Sequence, residues 1–233
     1  MTSTATHSPN GSPNGSAGFD PYTPVLANYY TPGAYLQSDL ESGLLESRHG
    51  ERLLAIPEAL LRGIYTGLEY ETGQAARLVL RNCGRMWGKE FFRRFAQELS
   101  DYYQKPLAEL EMGIFLQNLG QAWKTHGWGL IEIDWTYKDQ GVLVVSIRNS
   151  PFAALTPAHF TRPMGFLEAG LLGTWFSQLT GQDLICVQTT SEALGAKSNL
   201  FVLTTVARLK EGEAWVDSGL SHDQVLEKLL QPT

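Results

Sequence analysis

From Gln74 to Tyr103 the apolar residues Val79, Cys83, Trp87, Phe91, Phe95, Leu99 and Tyr102 recur every three or four positions, a period that only a helix meets. So long a stripe needs a correspondingly long surface to lie against, whether a core, a partner or a pocket. Further along, the period changes to two. Ile131, Ile133 and Trp135 alternate against Glu132 and Asp134, and Val142 to Ile147 follows the turn Lys138-Asp139-Gln140-Gly141, so an antiparallel hairpin is expected there. A chain with both periods has to pack helices on a sheet. The expected fold class is α+β, an antiparallel sheet with helices covering one face.

The remaining elements follow from local signals. Gly43 to Ser47 and Glu51 to Ile56 flank the turn Arg48-His49-Gly50 as a first hairpin, and Pro57 opens a helix. Pro106 suits the first turn of a helix running to about Lys124 and ending at His126-Gly127. Met164 to Thr180 reads as another helix, followed by strands at Asp183 to Thr189 and Leu200 to Leu209. Ser221 with Gln224 forms a capping box for a short helix ending near Leu230.

Residues 1–35 differ in kind. They are rich in Ser, Thr, Pro, Asn and Gly, and Ser-Pro-Asn-Gly occurs in tandem from Ser8 to Gly15, a composition that cannot offset its ordering entropy by burial. Tyr22 to Tyr35 adds aromatics that can pack locally or on a partner. The expected division is a disordered tail over 1–35 and one domain over 36–233. With 43% hydrophobic residues the domain can build a core, and a net charge of -6 with dispersed Lys and Arg excludes a nucleic-acid footprint. The best apolar run, Phe166 to Leu179, is too short for a bilayer span and contains Glu168. The N-terminus lacks the basic-then-apolar pattern of a secretory signal, so a cytoplasmic location is expected. Cys83 and Cys186, far apart in sequence, fit a reducing compartment and are expected to be buried thiols.

Few residues carry a catalytic pattern. The segment Gly84 to Glu90 is superficially like a phosphate loop, but it is one residue short and Glu90 stands where a magnesium-binding hydroxyl is needed; its small residues fit close helix packing instead. Glu132 and Asp134 share a strand face and are expected to be solvated. Ser221-His222-Asp223 has the residue types of a hydrolase triad, yet neighbours in sequence do not converge as a nucleophile and its base must. The histidines at 7, 49, 126, 159 and 222 show no metal-ligand spacing, so no metal is expected. His49 reads as a turn residue and His126 as a helix end, while His159 lies in a loop where a pocket mouth fits. Aromatics are the strongest signal. Trp87, Phe91, Trp128, Phe166 and Trp175, with Arg85 or Arg162 to pair a carboxylate, are the candidate lining of a pocket for a planar ligand; plain core is the competing reading.

A wider pattern runs from Ile56-Pro57 through Cys83-Gly84-Arg-Met-Trp-Gly88 to Ile147-Arg-Asn-Ser-Pro151, Gly165-Phe-Leu-Glu-Ala-Gly170-Leu-Leu-Gly173, Cys186 and Phe201-Val202-Leu203. Over most of 43–210 it resembles the 4-vinyl-reductase family, whose fold is shared with subunits of a Golgi transport tethering particle and with phenol-sensing domains of bacterial activators. The resemblance implies a homodimer-prone α+β domain with a hydrophobic pocket between helices and sheet. Metal-binding relatives end in a Cys-x-x-x-Gly-x-x-x-Cys unit; here Cys186 is kept, but Gly195 and Asn199 stand at the next matching places, so the ligands of a zinc site are missing.

No hydride-donor site or iron–sulfur ligand set accompanies the family's reductase name. The resemblance therefore implies a non-catalytic accessory protein for a flat hydrophobic molecule, a tetrapyrrole such as a bilin or chlorophyll precursor, similar to cyanobacterial proteins linked to photosystem assembly. It also implies photosystem assembly proteins as partners and a peripheral place at the thylakoid membrane. Cys83 is the candidate thioether anchor for a bilin. The alternatives are a protein-assembly adaptor that uses the apolar helix face, and a 4-vinyl reductase component of chlorophyll synthesis.

Overall fold

A computed structural model describes residues 28–155 and 161–231. The described chain begins with an arm: Asn28 to Thr31, one helical turn α1 (Pro32–Tyr35), and strands β1 (Leu36–Asp39) and β2 (Leu44–Ser47), which pair with each other. Three helices follow, α2 (Glu58–Thr72), α3 (Ala75–Tyr103) and α4 (Met112–Thr125). Strands β3 (Leu130–Asp134) and β4 (Leu143–Arg148) precede α5 (Phe166–Thr180), and β5 (Leu184–Thr190) and β6 (Asn199–Thr205) complete an antiparallel sheet of order β3-β4-β6-β5. Three short helices close the chain: α6 (Val206–Leu209), α7 (Gly212–Asp217) and α8 (His222–Leu230).

The α+β class holds, with one extension: helices cover both sheet faces. Val145, Ile147, Phe201, Leu203 and Cys186 face α3, α4 and α5. Their strand neighbours Val144, Val202 and Val187 face Leu209, Val216, Val225, Leu226 and Leu229 of the terminal helices. Strands buried on both sides have no solvent face for polar residues, which is why β4 and β6 read as near-continuous apolar runs. The capping box of α8 forms as expected, with Ser221 accepting from the Gln224 N–H and the Gln224 side chain accepting from the Ser221 N–H. Among the described residues no helix is long and apolar enough to cross a membrane.

The long helix is placed as its period requires, but its buried face is turned at the N-terminal half. Ala76, Leu80, Gly84 and Gly88 are inside, whereas Val79 is 39% exposed and Cys83 is on the surface. Glycine explains the turn. Gly84 lies against the Leu167 backbone, Gly88 against that of Leu171, and Gly170 of α5 against the Arg81 carbonyl, so an added Cβ at any of them would overlap main-chain atoms. The two helices thus touch backbone to backbone, as the small residues of the false phosphate loop imply. Only Cys186 of the expected pair of buried thiols is buried.

Other boundaries shift for local reasons. β2 pairs back to β1, and only an isolated Glu46–Arg52 bridge remains of the expected hairpin with residues 51–56. Pro106 starts a single turn, Leu107–Glu109, and α4 begins at Met112. The last strand stops at Thr205 and Val206 opens α6, so Leu200 to Leu209 is a strand followed by a helical turn. The expected tail boundary at 35/36 falls inside packed chain, because Tyr29, Tyr30 and Tyr35 are 0%, 1% and 0% exposed within the main core. Residues 1–27 of the expected tail lie outside the described residues.

Candidate functional site

The aromatic residues of α3 meet those of the α4–β3 junction at one end of the helical layer. His126 caps α4, and Gly127 takes a left-handed φ of 72°, which lets the Trp128 N–H return to the Trp123 carbonyl at 2.9 Å. That reversal brings Trp128 back over α3. Its ring meets Trp87 edge to face at 4.8 Å between centroids, Phe91 at 5.1 Å and Trp123 at 5.4 Å, and stacks on His126 at 4.4 Å. Phe152, beyond β4, closes the rim against Trp87 at 5.4 Å. Trp87 and Trp128 are half-buried, whereas Phe91 is buried.

Behind this wall lies a polar floor, covered by the arm. Tyr30 stacks on Phe95 at 5.6 Å with 10° between the rings, and its hydroxyl donates to Glu98 Oε2 at 2.9 Å. The Tyr29 N–H donates to Asn118 Oδ1 at 3.1 Å, and the Thr125 hydroxyl donates to the Tyr30 carbonyl at 2.6 Å. His126 Nδ1 lies 2.8 Å from the Ala122 carbonyl, an acceptor only, so in the neutral imidazole Nδ1 carries the proton and Nε2 accepts from the Tyr35 hydroxyl at 3.3 Å. The Tyr29 hydroxyl is buried without a hydrogen-bond partner, while the Arg48 guanidinium lies 5.0 Å from its ring centre.

Burial sets the charge states here. It pushes the Glu98 carboxyl above its ordinary value against the opposing pull of the Tyr30 hydrogen bond and of Arg94. It holds His126 below the ordinary imidazole value, with the hydrogen bond to Ala122 acting the other way. The Tyr30 and Tyr35 phenols are raised first by burial and then by Glu98, so both remain donors. The arrangement is an aromatic box with one carboxyl and one imidazole acceptor at its base. It can recognise an aromatic ring that carries a hydroxyl.

Of the residues nominated from sequence, Trp87, Phe91 and Trp128 come together. Trp175 is fully buried behind them, packed at 5.5 Å on Phe95 and 5.6 Å on Phe92 as plain core. Phe166 lies elsewhere, under the Arg77 and Arg81 guanidiniums at 5.3 and 5.9 Å, in a small cleft of about 300 Å3. Arg85 lines an open groove of about 920 Å3 along α5 with Gly170, Gly173 and Cys186. Arg162 lies 3.3 Å from Asp217, and His159 falls outside the described residues. The space expected between helices and sheet is occupied by side chains: Phe95, Trp123, Ile147, Trp175 and Phe201 are each at most 1% exposed.

Glu98, Asn118, Thr125 and the arm tyrosines are site residues that the sequence patterns do not nominate. Glu98 was findable, since it sits three after Phe95 and four before Tyr102, a charge at stripe spacing. Elsewhere, Glu168 is buried beside the Ser150 hydroxyl at 2.8 Å with its Oε2 unpartnered, and burial pushes its carboxyl up to about 8. Glu132 and Asp134 are solvated, paired with Arg148 and Thr136. Among the described residues no group of His, Cys, Asp and Glu is arranged to hold a metal ion.

Comparison with known proteins bears on this arrangement. Residues 143–205, which run from β4 to β6, match the family model of the 4-vinyl-reductase (V-4-R) domain. The fold is similar to the crystal structure of the phenol-responsive sensory domain of the transcription activator PoxR with phenol: TM-score 0.61 at 15% identity, covering 88% of this chain and 96% of that one. Weaker likenesses are a vinyl-4-reductase family protein from Methanocaldococcus jannaschii, at TM-score 0.44, 15% identity and coverage of 65% and 83%, and a trafficking protein particle complex subunit 3 from Naegleria fowleri covalently bound to palmitic acid, at 0.45, 13% and coverage of 63% and 93%. No curated protein matches the sequence.

Proposed function

We propose that this chain is a small-molecule-binding domain whose ligand is a planar aromatic molecule with a hydroxyl, held between the Trp87–Phe91–Trp128 wall and the Glu98–His126 floor. The observation that carries the reading is the Tyr30 phenol itself, stacked on Phe95 and hydrogen-bonded to Glu98. The fold shared with a phenol-responsive sensory domain supports it. Ring walls give dispersion and quadrupole contacts to a flat ligand, and a single buried acceptor fixes its hydroxyl. We further propose that the domain acts without catalysis, as a carrier or sensor, because rings, a carboxyl held up by burial and an imidazole tied to a backbone carbonyl recognise a ligand without supplying a redox group.

A tetrapyrrole, whether bilin or chlorophyll precursor, and with it a role in photosystem assembly, is the larger-ligand form of the same proposal; the match to the 4-vinyl-reductase domain is what supports it. Titration of the full chain with phenol, p-cresol, a bilin and a chlorophyll precursor, read by tryptophan fluorescence and ligand absorption, tests both forms. Quenching of the Trp87–Trp128 emission by one class and not the other selects between them. Unchanged spectra across the series overturn the reading.

A second reading has its own observation. Leu54, Ile56, Leu60 and Ile64 before and on α2, with Leu78, Val79 and Met86 on α3, are large apolar side chains left exposed. This surface supports the adaptor alternative, in which a second copy or another protein covers it. Sedimentation of the wild type beside Leu60→Glu/Ile64→Glu checks it, a mass of one chain in both proteins ruling out self-association through this face.

A further inference from the structure

The arm is a thin element whose rings alone are inserted. Thr31, Pro32, Gly33 and Ala34 are exposed, and α1 is a single turn with no side-chain cap. Yet Tyr29, Tyr30 and Tyr35 reach 0%, 1% and 0% exposure, and four polar side chains of α3 and α4, Glu98, Asn118, Thr125 and His126, direct hydrogen bonds at this one stretch. A core packed only for stability gains little from such a floor, since apolar residues of like volume would fill it without desolvating a carboxyl. The Tyr29 hydroxyl, buried and unpartnered, shows that the arm does not satisfy its own polar groups.

We propose that Tyr30 is a built-in occupant of the phenol seat formed by Phe95, Glu98 and His126, and that Asn28–Tyr35 has to lift before a free phenol can enter. This rests on the functional reading above and adds its regulation: arm and ligand compete for one hydrogen-bond acceptor and one ring face. A ligand that enters only when the seat is vacated binds with an affinity reduced by the fraction of molecules whose arm is out. The exposed stretch between Tyr30 and Tyr35 lets the arm peel away with β1 as its attachment.

The probe is p-cresol, the tyrosine side chain as a free molecule, added to the full chain of wild type, Tyr30→Phe and Tyr30→Ala. Calorimetry should show p-cresol binding the Tyr30→Ala protein at least about tenfold more tightly than wild type, because no arm phenol has to leave. Tyr30→Phe keeps the ring volume if the alanine protein fails to fold, and should bind several-fold more tightly than wild type. In wild type, p-cresol should speed hydrogen exchange at the amides of Tyr29 to Leu36. Equal affinities, or binding to wild type with the arm amides unchanged or slowed, overturn the arm's role while leaving a ligand site elsewhere in the domain. Absence of p-cresol binding in all proteins overturns the phenol reading as well.

Discussion

The Tyr30 hydroxyl donates to the Glu98 carboxylate at 2.9 Å in the interior of the protein, joining the first described residues to the C-terminal half of the longest helix. Both partners are almost wholly excluded from water, so neither finds a substitute when the other is removed. Tyr30→Phe leaves Glu98 without its donor and should lower the free energy of unfolding by about 1–3 kcal/mol. Urea titration measures the loss, and an unchanged midpoint would show that the bond contributes nothing net.

The contact between α3 and α5 predicts opposite signs for one kind of substitution. Gly84→Ala and Gly170→Ala drive a methyl into a neighbouring main chain and should cost more than about 3 kcal/mol, the upper range for an overpacked core. Gly63→Ala and Gly67→Ala, inside α2 with open space at the Cβ, should stabilise by roughly 0.5–1 kcal/mol through helix propensity. Thermal melts of the four variants check the sign at each place.

Glu168 makes stability depend on pH. Its folded value, about 8, lies above the ordinary 4.5, so the folded protein holds a proton that the unfolded chain releases. Stability is therefore fully present below pH 4.5 and lost as pH rises toward 8, by on the order of 5 kcal/mol across the window. Glu168→Gln, which cannot ionise, should flatten the fall between pH 6 and 8. Denaturant midpoints with the same slope in both proteins would remove this account.

The thiols should separate by accessibility. Cys83 is exposed, and Cys186 is buried with burial raising its thiol. A maleimide should label Cys83 in the native protein and Cys186 only after denaturation, as mass spectrometry of the peptides will read. Rapid native labelling of Cys186 would contradict its placement beneath α5.

His126 should titrate late. Burial lowers it, so the folded protein resists the proton that the unfolded chain takes up below pH 6.5, and this contribution to stability falls as pH drops through that value. Its imidazole resonances, followed by NMR, should stay those of the neutral ring at pH 6.5 and below; an ordinary titration curve would contradict the Tyr35–His126 contact.

Much of the fold was legible because hydrophobic period survives in single elements. The change from the α3 stripe to the β3 alternation marks the layers, and Ser221–Gln224 marks the last helix. What was not legible depends on partners. The rotation that exposes Cys83 and buries Leu80 comes from glycines that meet another helix, which spacing within α3 does not report. Likewise β2 pairs with β1 and not with the chain after Gly50, since pairing is set by side chains across the strands and not by the turn alone. At the site, Trp87, Phe91 and Trp128 were named but Glu98 and Tyr30 were not, because a charge on an apolar stripe and a tyrosine in a polar segment acquire meaning only when they are seen to touch.

The arm's contacts also order the events of synthesis. Tyr29 waits for Asn118, 89 residues later, Tyr30 for Glu98, 68 residues later, and Tyr35 for His126, 91 residues later. Such long separations close late, after local helices have formed. A nascent chain thus carries adjoining tyrosines at its leading end with no place to put them until α4 has left the ribosome, and during that interval they are a handle for a chaperone or a seed for misassembly.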